Sequence, residues 1–301
     1  MQTQTLNTQD ALAAFDLDFT MTKRPMFTVN GQGQTKQVVN TNAMVRDDTG
    51  EVIDGVSVSD TYEVIQNQDY ISVIERVTGE LNADFVDGGM LKGGRLTYLQ
   101  CKLPETIKVK GTGDAIEEYL TFVNSFDGSS RFMIIPTGMR IVCANQMKAI
   151  VNAARYNGLR FTHTKNVHTQ IEQADRAILE AMNAFKGFEV KVNWLADTKM
   201  TDLQMNMAIK KVFNVAGKVG DEIPTRTFNN MAKVAGLRDT GLGMHGWENT
   251  AWGLYNQFTE FSDHHRVTRR NADQFENRLL GSGATFKAKA LTAIEEVVAQ
   301  S

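Results

Sequence analysis

A run of histidines and carboxylates near the C-terminus is the part of the sequence best suited to catalytic chemistry. It contains Glu260, Asp263, His264 and His265. On a helix, Glu260 and His264 share one face, a spacing that can hold a metal ion, and the distant His163 and His168 could add ligands. The cations that follow, from Arg266 onward, favour instead a solvated helix end with positive charge near its negative pole. A metal-dependent nuclease is therefore our third functional hypothesis, and the sequence assigns no metal site.

Glycine-rich runs and nucleophilic residues give no stronger indication of catalysis. The run from Gly281 to Lys287 resembles a phosphate-binding loop, but Ala288 stands where that motif needs Ser or Thr. We expect a break between two helices there, and a turn at residues 110–114. The sequence contains no GxSxG, HExxH or paired CxxC motif, and no histidine is adjacent to either cysteine. It therefore favours a non-enzyme, with no catalytic residue and no cofactor.

Charge is distributed unevenly along the chain. The formal net charge is −3, from 32 Lys and Arg against 35 Asp and Glu. Residues 91–170 hold eleven of those cations and only five anions, so this segment carries +6 and the remainder −9. Cations on neighbouring strands can follow a phosphate backbone, and aromatic residues of the same segment could stack on bases. The alternative is a solvated strand face, and the acids Asp114, Glu117 and Glu118 interrupt any basic track.

Length and composition narrow the class of protein. A chain of 301 residues with 42% hydrophobic residues can bury a substantial core, which excludes wholesale disorder. Two cysteines without a CxxC motif are too few for a disulfide scaffold and fit a reducing compartment. The first thirty residues lack the apolar stretch of a signal peptide, and no segment has the roughly eighteen apolar residues of a membrane span. We expect a soluble protein in the cytoplasm of a host cell.

The N-terminal third has the pattern of an arm that leads into a folded core. Residues 1–42 are rich in Thr, Gln and Asn and resemble an arm, with a short helix at 10–15. A hairpin is predicted from 44–46 to 51–58, because two β-like runs flank a turn. The helical spacing of apolar residues then predicts an amphipathic helix over 67–78.

A dense series of β-like runs follows and indicates an antiparallel meander. The runs cover residues 83–86, 95–103, 106–110, 119–126, 131–135 and 139–143. The pair Asp127-Gly128 supplies the positive φ angles that a tight hairpin turn needs. Asn145 can cap a helix running to about residue 156. We therefore expect residues 43–165 to form one β-rich core.

From residue 166 to the end, the hydrophobic period is helical. Thr201 and Gln204 have the spacing of a capping box, and Pro224 opens another helix. Further helices are predicted at 247–261 and 284–299, with the aromatic residues of the first in the core. Strands first and helices afterwards indicate an α+β fold, with a helical region at 166–301.

Several short strings resemble the "phage/plasmid-like protein" family encoded by phages and plasmids. They are VRDDTG (45–50), YEVIQN (62–67), GGRL (93–96), GD (113–114), DGS (127–129), RIVCAN (140–145), NTAWG (249–253) and DH (263–264). The resemblance extends from Val45 to Phe286. It implies a gene of a mobile element, and because the family is uncharacterised it supplies no catalytic residue.

The order of elements resembles a second group, the annealing core of Rad-fifty-two-like proteins and, more loosely, phage RecT and Red-beta recombinases. That resemblance implies a strand-rich core and a following helix that line a basic groove on an oligomeric ring. By topology, the DNA-binding residues would be Arg95, Lys102, Arg131, Arg140, Lys148 and Arg155.

The leading hypothesis is therefore a single-stranded DNA-binding and annealing protein that acts in recombination as a homo-oligomer without ATP. The alternative is a protein that binds a host factor, in counter-defence or regulation. In either case, the helical region is expected to mediate subunit contacts or to recruit a host or phage protein, and no membrane is involved.

Overall fold

The computed structural model describes residues 6–111, 113–128, 132–140, 146–148, 167–242, 244, 246–266 and 274–300. Within them, strands occupy the N-terminal half and helices the C-terminal half. The α+β class predicted from the order of the periodic segments is therefore confirmed. No helix in these ranges is long and apolar enough to cross a membrane.

The N-terminal half combines two short helices with two sheets. The helices are α1 (Thr8–Ala14) and α2 (Ile71–Leu81), the latter preceded by a 3-10 turn at Asn67–Tyr70. The strands are β1 (Met21–Val29), β2 (Thr35–Arg46), β3 (Asp84–Leu91), β4 (Leu96–Lys108), β5 (Ala115–Ser125), β6 (Met133–Arg140) and β7 (Gln146–Lys148). β1 and β2 form an antiparallel pair, and β3 to β7 form the second sheet in chain order. This order is that of the predicted meander.

The C-terminal half is helical, as predicted. It comprises α3 (Val167–Asp197), α4 (Asp202–Val212), α5 (Thr225–Thr240), α6 (Ala251–Glu260), α7 (Gln274–Leu279) and α8 (Ser282–Ala299). The capping box before α4 is confirmed, since Thr201 N donates to Gln204 Oε1 (2.7 Å) and Gln204 N to Thr201 Oγ1 (3.3 Å). A π-helical turn, Phe261–His265, continues α6. Gly281 caps α8, so the glycine-rich run separates two helices as expected.

The hairpin predicted at 44–58 is replaced by a longer one formed by β1 and β2. β2 includes Met44–Arg46, whereas residues 51–58 contribute only the isolated bridges Val45↔Val52 and Asn42↔Val58. The sequence hides this pairing because the outer part of the hairpin, residues 24–40, is exposed on both faces except at the half-buried Val38. A stretch without a buried face has no apolar alternation for a pattern to detect.

Three details of the second sheet also differ from the prediction. β6 (Met133–Arg140) is a single strand through Pro136, where the sequence predicts separate runs at 131–135 and 139–143. β4 is one continuous strand through Pro104, where the sequence predicts two strands. Its pairing with β3 ends at Lys102, so the absence of an N–H group at Pro104 removes no hydrogen bond to β3. Gln146–Lys148 pair with β6 as β7, with Thr137 opposite Lys148, where the sequence predicts the start of a helix. The rest of that predicted helix, 149–156, lies outside the described residues.

The chain folds into two compact units assembled from interleaved segments. The first unit consists of Met1–Pro104, Tyr119–Pro136 and Asn152–Asn183. The second consists of Glu105–Glu118, Thr137–Val151 and Ala184–Ser301. The division of the sequence at residues 42 and 165 stays a prediction.

A buried polar network organises the core of the first unit. Asn67 Oδ1 accepts from Thr97 Oγ1 (2.7 Å) and from Asn124 Nδ2 (3.1 Å), and its own amide nitrogen donates to a backbone carbonyl. One turn later, Tyr70 stacks on Phe132 with ring centroids 3.8 Å apart. Because the polar atoms of Asn67 are paired, the network can fix the start of α2 without leaving a buried group unsatisfied.

Helix α6 forms the centre of the second unit. All of its residues are buried, and α5 and α8 pack against it. The aromatic residues predicted to be core are all at most 5% exposed: Trp247, Trp252, Tyr255, Phe258 and Phe261. Phe286 of α8 joins this cluster, with ring centroids 5.9 Å from Phe258 and 5.8 Å from Phe261. A helix buried on every side explains why its polar residues are also removed from water.

Candidate nucleic-acid interface

Arg95 lies immediately before β4 and is held by a neighbouring turn. Its Nη2 donates to the carbonyl of Asp54 over 2.9 Å. A Cβ at Gly55 would stand 2.7 Å from the same nitrogen, so the glycine, at φ +66°, leaves the space that the guanidinium occupies. A guanidinium carries five N–H donors, so this backbone contact does not exhaust its capacity to bind a phosphate.

Lys102 lies within β4, directly opposite Asp84 of β3. Its side chain is half-buried, between the buried Cys101 and Leu103. Directly opposed residues of an antiparallel pair have Cβ atoms about 4.5–5.5 Å apart, so Asp84 offsets part of the positive charge. Lys102 is therefore a weaker candidate for a phosphate contact than Arg95.

The other four candidates are placed only in part. Arg140 is the last residue of β6 and Lys148 the last of β7, and these strands are neighbours. Arg131 and Arg155 lie outside the described residues. The structure thus places Lys102, Arg140 and Lys148 on strands of one sheet, with Arg95 beside its second strand. The assignment of all six to DNA binding stays a prediction.

Two of the three acids that interrupt the basic segment are buried. Asp114 is 4% exposed and Glu118 is 7% exposed. Burial, assisted by the carboxylates of Glu105 and Glu189, raises the pKa of Glu118 to about 7. A large fraction of Glu118 is consequently uncharged at neutral pH, so it opposes a polyanion less than its residue type suggests.

The histidine and carboxylate run near the C-terminus has a different arrangement from a metal site. Both carboxylate oxygens of Asp263 accept from Lys287 Nζ, over 2.9 and 3.1 Å. Glu260 Oε2 accepts from the backbone of Leu242 (3.0 Å), and its Oε1 lies 3.7 Å from Nε2 of His265. Among the described residues, no group of three or more His, Cys, Asp or Glu is placed to hold a metal. His163 and the side chain of His168 lie outside that description.

The string VRDDTG surrounds a buried arginine. Arg46 is 8% exposed, and its guanidinium donates to both oxygens of Asp48 (2.8 Å each) and both of Asp16 (2.7 and 3.1 Å). The same group lies over the ring of Phe19, 4.1 Å from its centroid. Hydrogen bonds to Asp48 and Asp16 raise the pKa of Arg46, and the same bonds from the guanidinium lower the pKa of both carboxyl groups. This string therefore joins the loop after α1 to the end of β2.

The string NTAWG forms the start of α6. Thr250 Oγ1 accepts from Gly253 N over 3.0 Å, and the backbone of Thr250 bridges to that of Lys199. A Cβ at Gly253 would stand 2.1 Å from the carbonyl oxygen of Trp247. Only glycine fits this close approach, so the string has a structural role.

The β1–β2 hairpin, which falls outside the sequence-based assignment, contains no Asp or Glu over residues 19–46. Of the four cations in these residues, Arg46 is buried and paired with Asp16 and Asp48, and Lys23 donates to two backbone carbonyls. A count confined to the most basic segment cannot find this hairpin, but the absence of acid over 28 consecutive residues is a signal that the sequence does contain.

Comparison with known proteins gives one match. A family model described as "Domain of unknown function (DUF932)" matches residues 56–281, about three quarters of the chain. No curated protein and no solved structure matches the sequence.

Proposed function

The chain belongs to the DUF932 family, and on that premise we propose that it is a single-stranded DNA-binding and annealing protein of a phage or plasmid. It would act in recombination as a homo-oligomer and without ATP. The family description assigns no activity, so the support comes from the distribution of charge over the fold.

The observation that carries the proposal is that the strands of the basic segment are neighbours in one sheet. Residues 91–170 hold a net +6 in a chain of net −3, and the described part of this segment contains β4 to β7. These strands are neighbours in one sheet. Cations that are separated in sequence are thus brought onto one sheet, as tracking a phosphate backbone requires.

The raised pKa of Glu118 strengthens this charge separation. Glu118 is mostly removed from solvent, and its pKa of about 7 leaves a large fraction of this carboxyl uncharged at neutral pH. Opposing charge on the surface of the segment is consequently smaller than the sequence count implies. The net attraction for a polyanion is correspondingly larger.

The mechanism follows from electrostatics and geometry. The sheet would neutralise the phosphates of one strand and release their counterions, which supplies affinity without reading sequence. An extended strand whose phosphates face the protein leaves its bases available to test pairing with a second strand. Several copies side by side would hold a longer stretch, which is why a homo-oligomer is part of the proposal.

The first test measures fluorescence anisotropy of labelled single- and double-stranded oligonucleotides at about 50 and 200 mM salt. We expect tight, salt-sensitive binding that prefers the single strand, and faster annealing of complementary strands in the absence of ATP. Absence of binding at low salt would overturn the proposal and favour a host protein as the partner.

A variant pair localises the surface. Arg131→Ala/Arg140→Ala should weaken binding and flatten its salt dependence, whereas Lys218→Ala/Lys233→Ala removes two exposed cations outside the basic segment and should not. Equal affinity of both variants, with unchanged circular dichroism spectra, would contradict the assignment of the sheet.

A further inference from the structure

The outer part of the β1–β2 hairpin, residues 24–40, extends from an anchored base; we call it the ribbon. Every residue in it except the half-buried Val38 is exposed. At the base, Met21 is buried, and Lys23 Nζ donates to the carbonyls of Asp60 (2.6 Å) and Tyr62 (2.8 Å). An isolated pair of antiparallel strands is only marginally stable in water, so a ribbon exposed on both faces calls for a partner surface.

One face of the ribbon carries no charge. The register pairs Phe27 with Gln37 and Val29 with Thr35, so these four side chains lie on the same face. Lys36, between Thr35 and Gln37 on β2, points to the opposite face. On the uncharged face, Phe27 is 59% exposed and Val29 is 65% exposed. Covering this face would remove apolar area from water without desolvating a charge.

A cavity of about 240 Å³ opens beside the base of the ribbon. The buried side chains of Phe19, Met21 and Ile53 and the exposed ones of Val52 and Met90 line it, and all of them belong to the first unit. An apolar cavity of about 150 Å³ is large enough to bind benzene, so this one can hold the ring of a phenylalanine.

Two groups in the wall of the cavity favour an aromatic occupant. The guanidinium of Arg46 lies over the ring of Phe19, and its Nη1 is 3.9 Å from Sδ of Met90. Guanidinium groups and thioethers both make favourable contacts with aromatic rings. Gly94, at φ +86°, keeps the wall open, because a Cβ there would stand 3.8 Å from Ile53 and 4.0 Å from Met90 Sδ.

Phe27 is the ring best placed to fill this cavity in a second copy of the chain. Among the phenylalanines that the structure describes, only Phe27 and Phe228 are more than half exposed, and Phe228 lies on α5. Phe27 is six residues beyond Met21, about 20 Å along the strand, so it cannot reach the cavity that Met21 lines in its own chain. The even spacing places both residues on one face of β1. Two copies packed antiparallel through this face bring each Phe27 to the other's cavity.

We propose that two copies of this chain exchange ribbons, with Phe27 of each copy inserted into the cavity beside the base of the other's ribbon. A two-fold interface needs one surface that complements itself, and here the ribbon and the cavity meet at Met21. The ribbon's 17 residues and the nine that line the cavity together match the roughly 20–30 residues that each side of a stable interface contributes.

The contact is made through the face of the ribbon rather than its edges. Pro25 has no N–H to offer on β1, and the partner on β2 jumps from Asn42 to Gln37 between Pro25 and Phe27. Prolines and bulges of this kind block the pairing of a strand edge with another chain. The inference rests on the homo-oligomer of the proposed function, for which it names the contact, and it requires no DNA.

The test measures the mass of the full chain by light scattering over a range of protein concentrations. The wild type should be a dimer or a multiple of it. Phe27→Ala should raise the dissociation constant by about 30-fold or more, as expected for an aromatic anchor at the centre of an interface. Phe228→Ala is the matched control, because Phe228 is 57% exposed, and it should leave the constant unchanged.

A second pair of variants tests the cavity. Val52→Glu places a charge where the ring of Phe27 would insert and should dissociate the dimer as Phe27→Ala does. Val86→Glu alters another exposed valine of the first unit, outside the cavity lining, and should not. Circular dichroism spectra should be unchanged throughout, since every substituted side chain is exposed.

A disulfide locates the contact directly. In oxidising buffer, Phe27→Cys/Val52→Cys should form a covalent dimer on non-reducing gels, whereas Phe228→Cys/Val52→Cys should not. An oligomer that survives Phe27→Ala and Val52→Glu and gives no crosslink would overturn ribbon exchange alone. A wild type that is monomeric at every concentration would overturn it together with the homo-oligomer of the proposed function. DNA binding is measured separately by anisotropy, so its absence would contradict the proposed function and leave ribbon exchange standing.

Discussion

Lys287 and Asp263 form an ion pair from which water is excluded. Lys287 Nζ lies 2.9 and 3.1 Å from the two carboxylate oxygens, and the side chains are 4% and 0% exposed. Burial lowers the pKa of Lys287, and the charge and hydrogen bonds of Asp263 act in the opposite direction. Asp263 lies within the π-helical turn after α6 and is anchored there by Lys287 of α8. Because Asp263 is paired with Lys287, 24 residues further along the chain, its role is structural.

Removing one member of this pair should be strongly destabilising. Lys287→Met leaves a buried carboxylate without its cation, and we expect a loss of about 3–5 kcal/mol in the free energy of unfolding. The matched control is Lys191→Met, which breaks the half-exposed pair with Glu295 and should cost less than about 1 kcal/mol. Urea unfolding followed by circular dichroism measures both. Equal midpoints for the two variants would show that the buried pair contributes no more than a surface one.

Gly253, at the start of α6, lies so close to the backbone of Trp247 that adding one methyl group should strongly destabilise the fold. Gly253→Ala places a Cβ 2.1 Å from the carbonyl oxygen of Trp247, so the first turn of a buried helix must move. We expect a loss of at least about 3 kcal/mol or failure to fold. Gly236→Ala in α5 meets no atom within 4 Å and should stabilise by about 0.5–1 kcal/mol. Comparable melting temperatures for the two variants would contradict the geometry.

The guanidinium of Arg46 should not be replaceable by another cation. Arg46→Lys keeps the charge but cannot donate two bonds to each of Asp16 and Asp48, and we expect a loss of about 1–3 kcal/mol. Arg24→Lys alters an exposed arginine whose only described ion pair is a 3.8 Å contact with Asp47, and should change stability by less than about 0.5 kcal/mol. Thermal unfolding separates the two outcomes. An Arg46→Lys variant as stable as the wild type would show that charge alone holds this junction.

The elements that the sequence predicts well are those whose determinants are local. The capping box of Thr201 and Gln204 lies within four residues. α8 is predicted by the glycines that precede it and by the helical spacing of its apolar residues. β7 could not be predicted because the pairing of Gln146–Lys148 depends on β6, not on the sequence of the three residues themselves.

The sequence predicts the net charge of the candidate site but not which of its charged side chains are buried or paired. Counting cations identifies the basic segment, because charge is a property of the sequence. The burial of Glu118, its proximity to Glu105 and Glu189, and the pairing of Asp263 with Lys287 arise only when distant segments meet. Acidic residues that the sequence would place at the surface are therefore buried. For Glu118, which lies on β5, burial lowers the negative charge that the sheet carries at neutral pH.

Glu118 gives the protein a predictable dependence of stability on pH. Its pKa rises from 4.5 to about 7 on folding, chiefly through burial, so the folded state binds this proton more tightly than the unfolded chain. As pH rises from about 4.5 to 7, the unfolded chain loses the proton first, and the free energy of unfolding falls. The loss is at most about 3.5 kcal/mol, since a tenfold change in proton affinity corresponds to about 1.4 kcal/mol.

Replacing this carboxyl by an amide should remove that dependence. Glu118→Gln is therefore expected to be more stable than the wild type at pH 8 and to approach it at pH 4.5, in urea titrations at matched salt. Glu75→Gln, on the exposed face of α2, is the control and should leave the pH profile unchanged. If Glu118→Gln follows the wild-type profile between pH 5 and 8, the carboxyl is ionised at no cost in the folded protein. Its charge would then oppose a DNA strand in full, and the basic sheet would be correspondingly weaker as a binding surface.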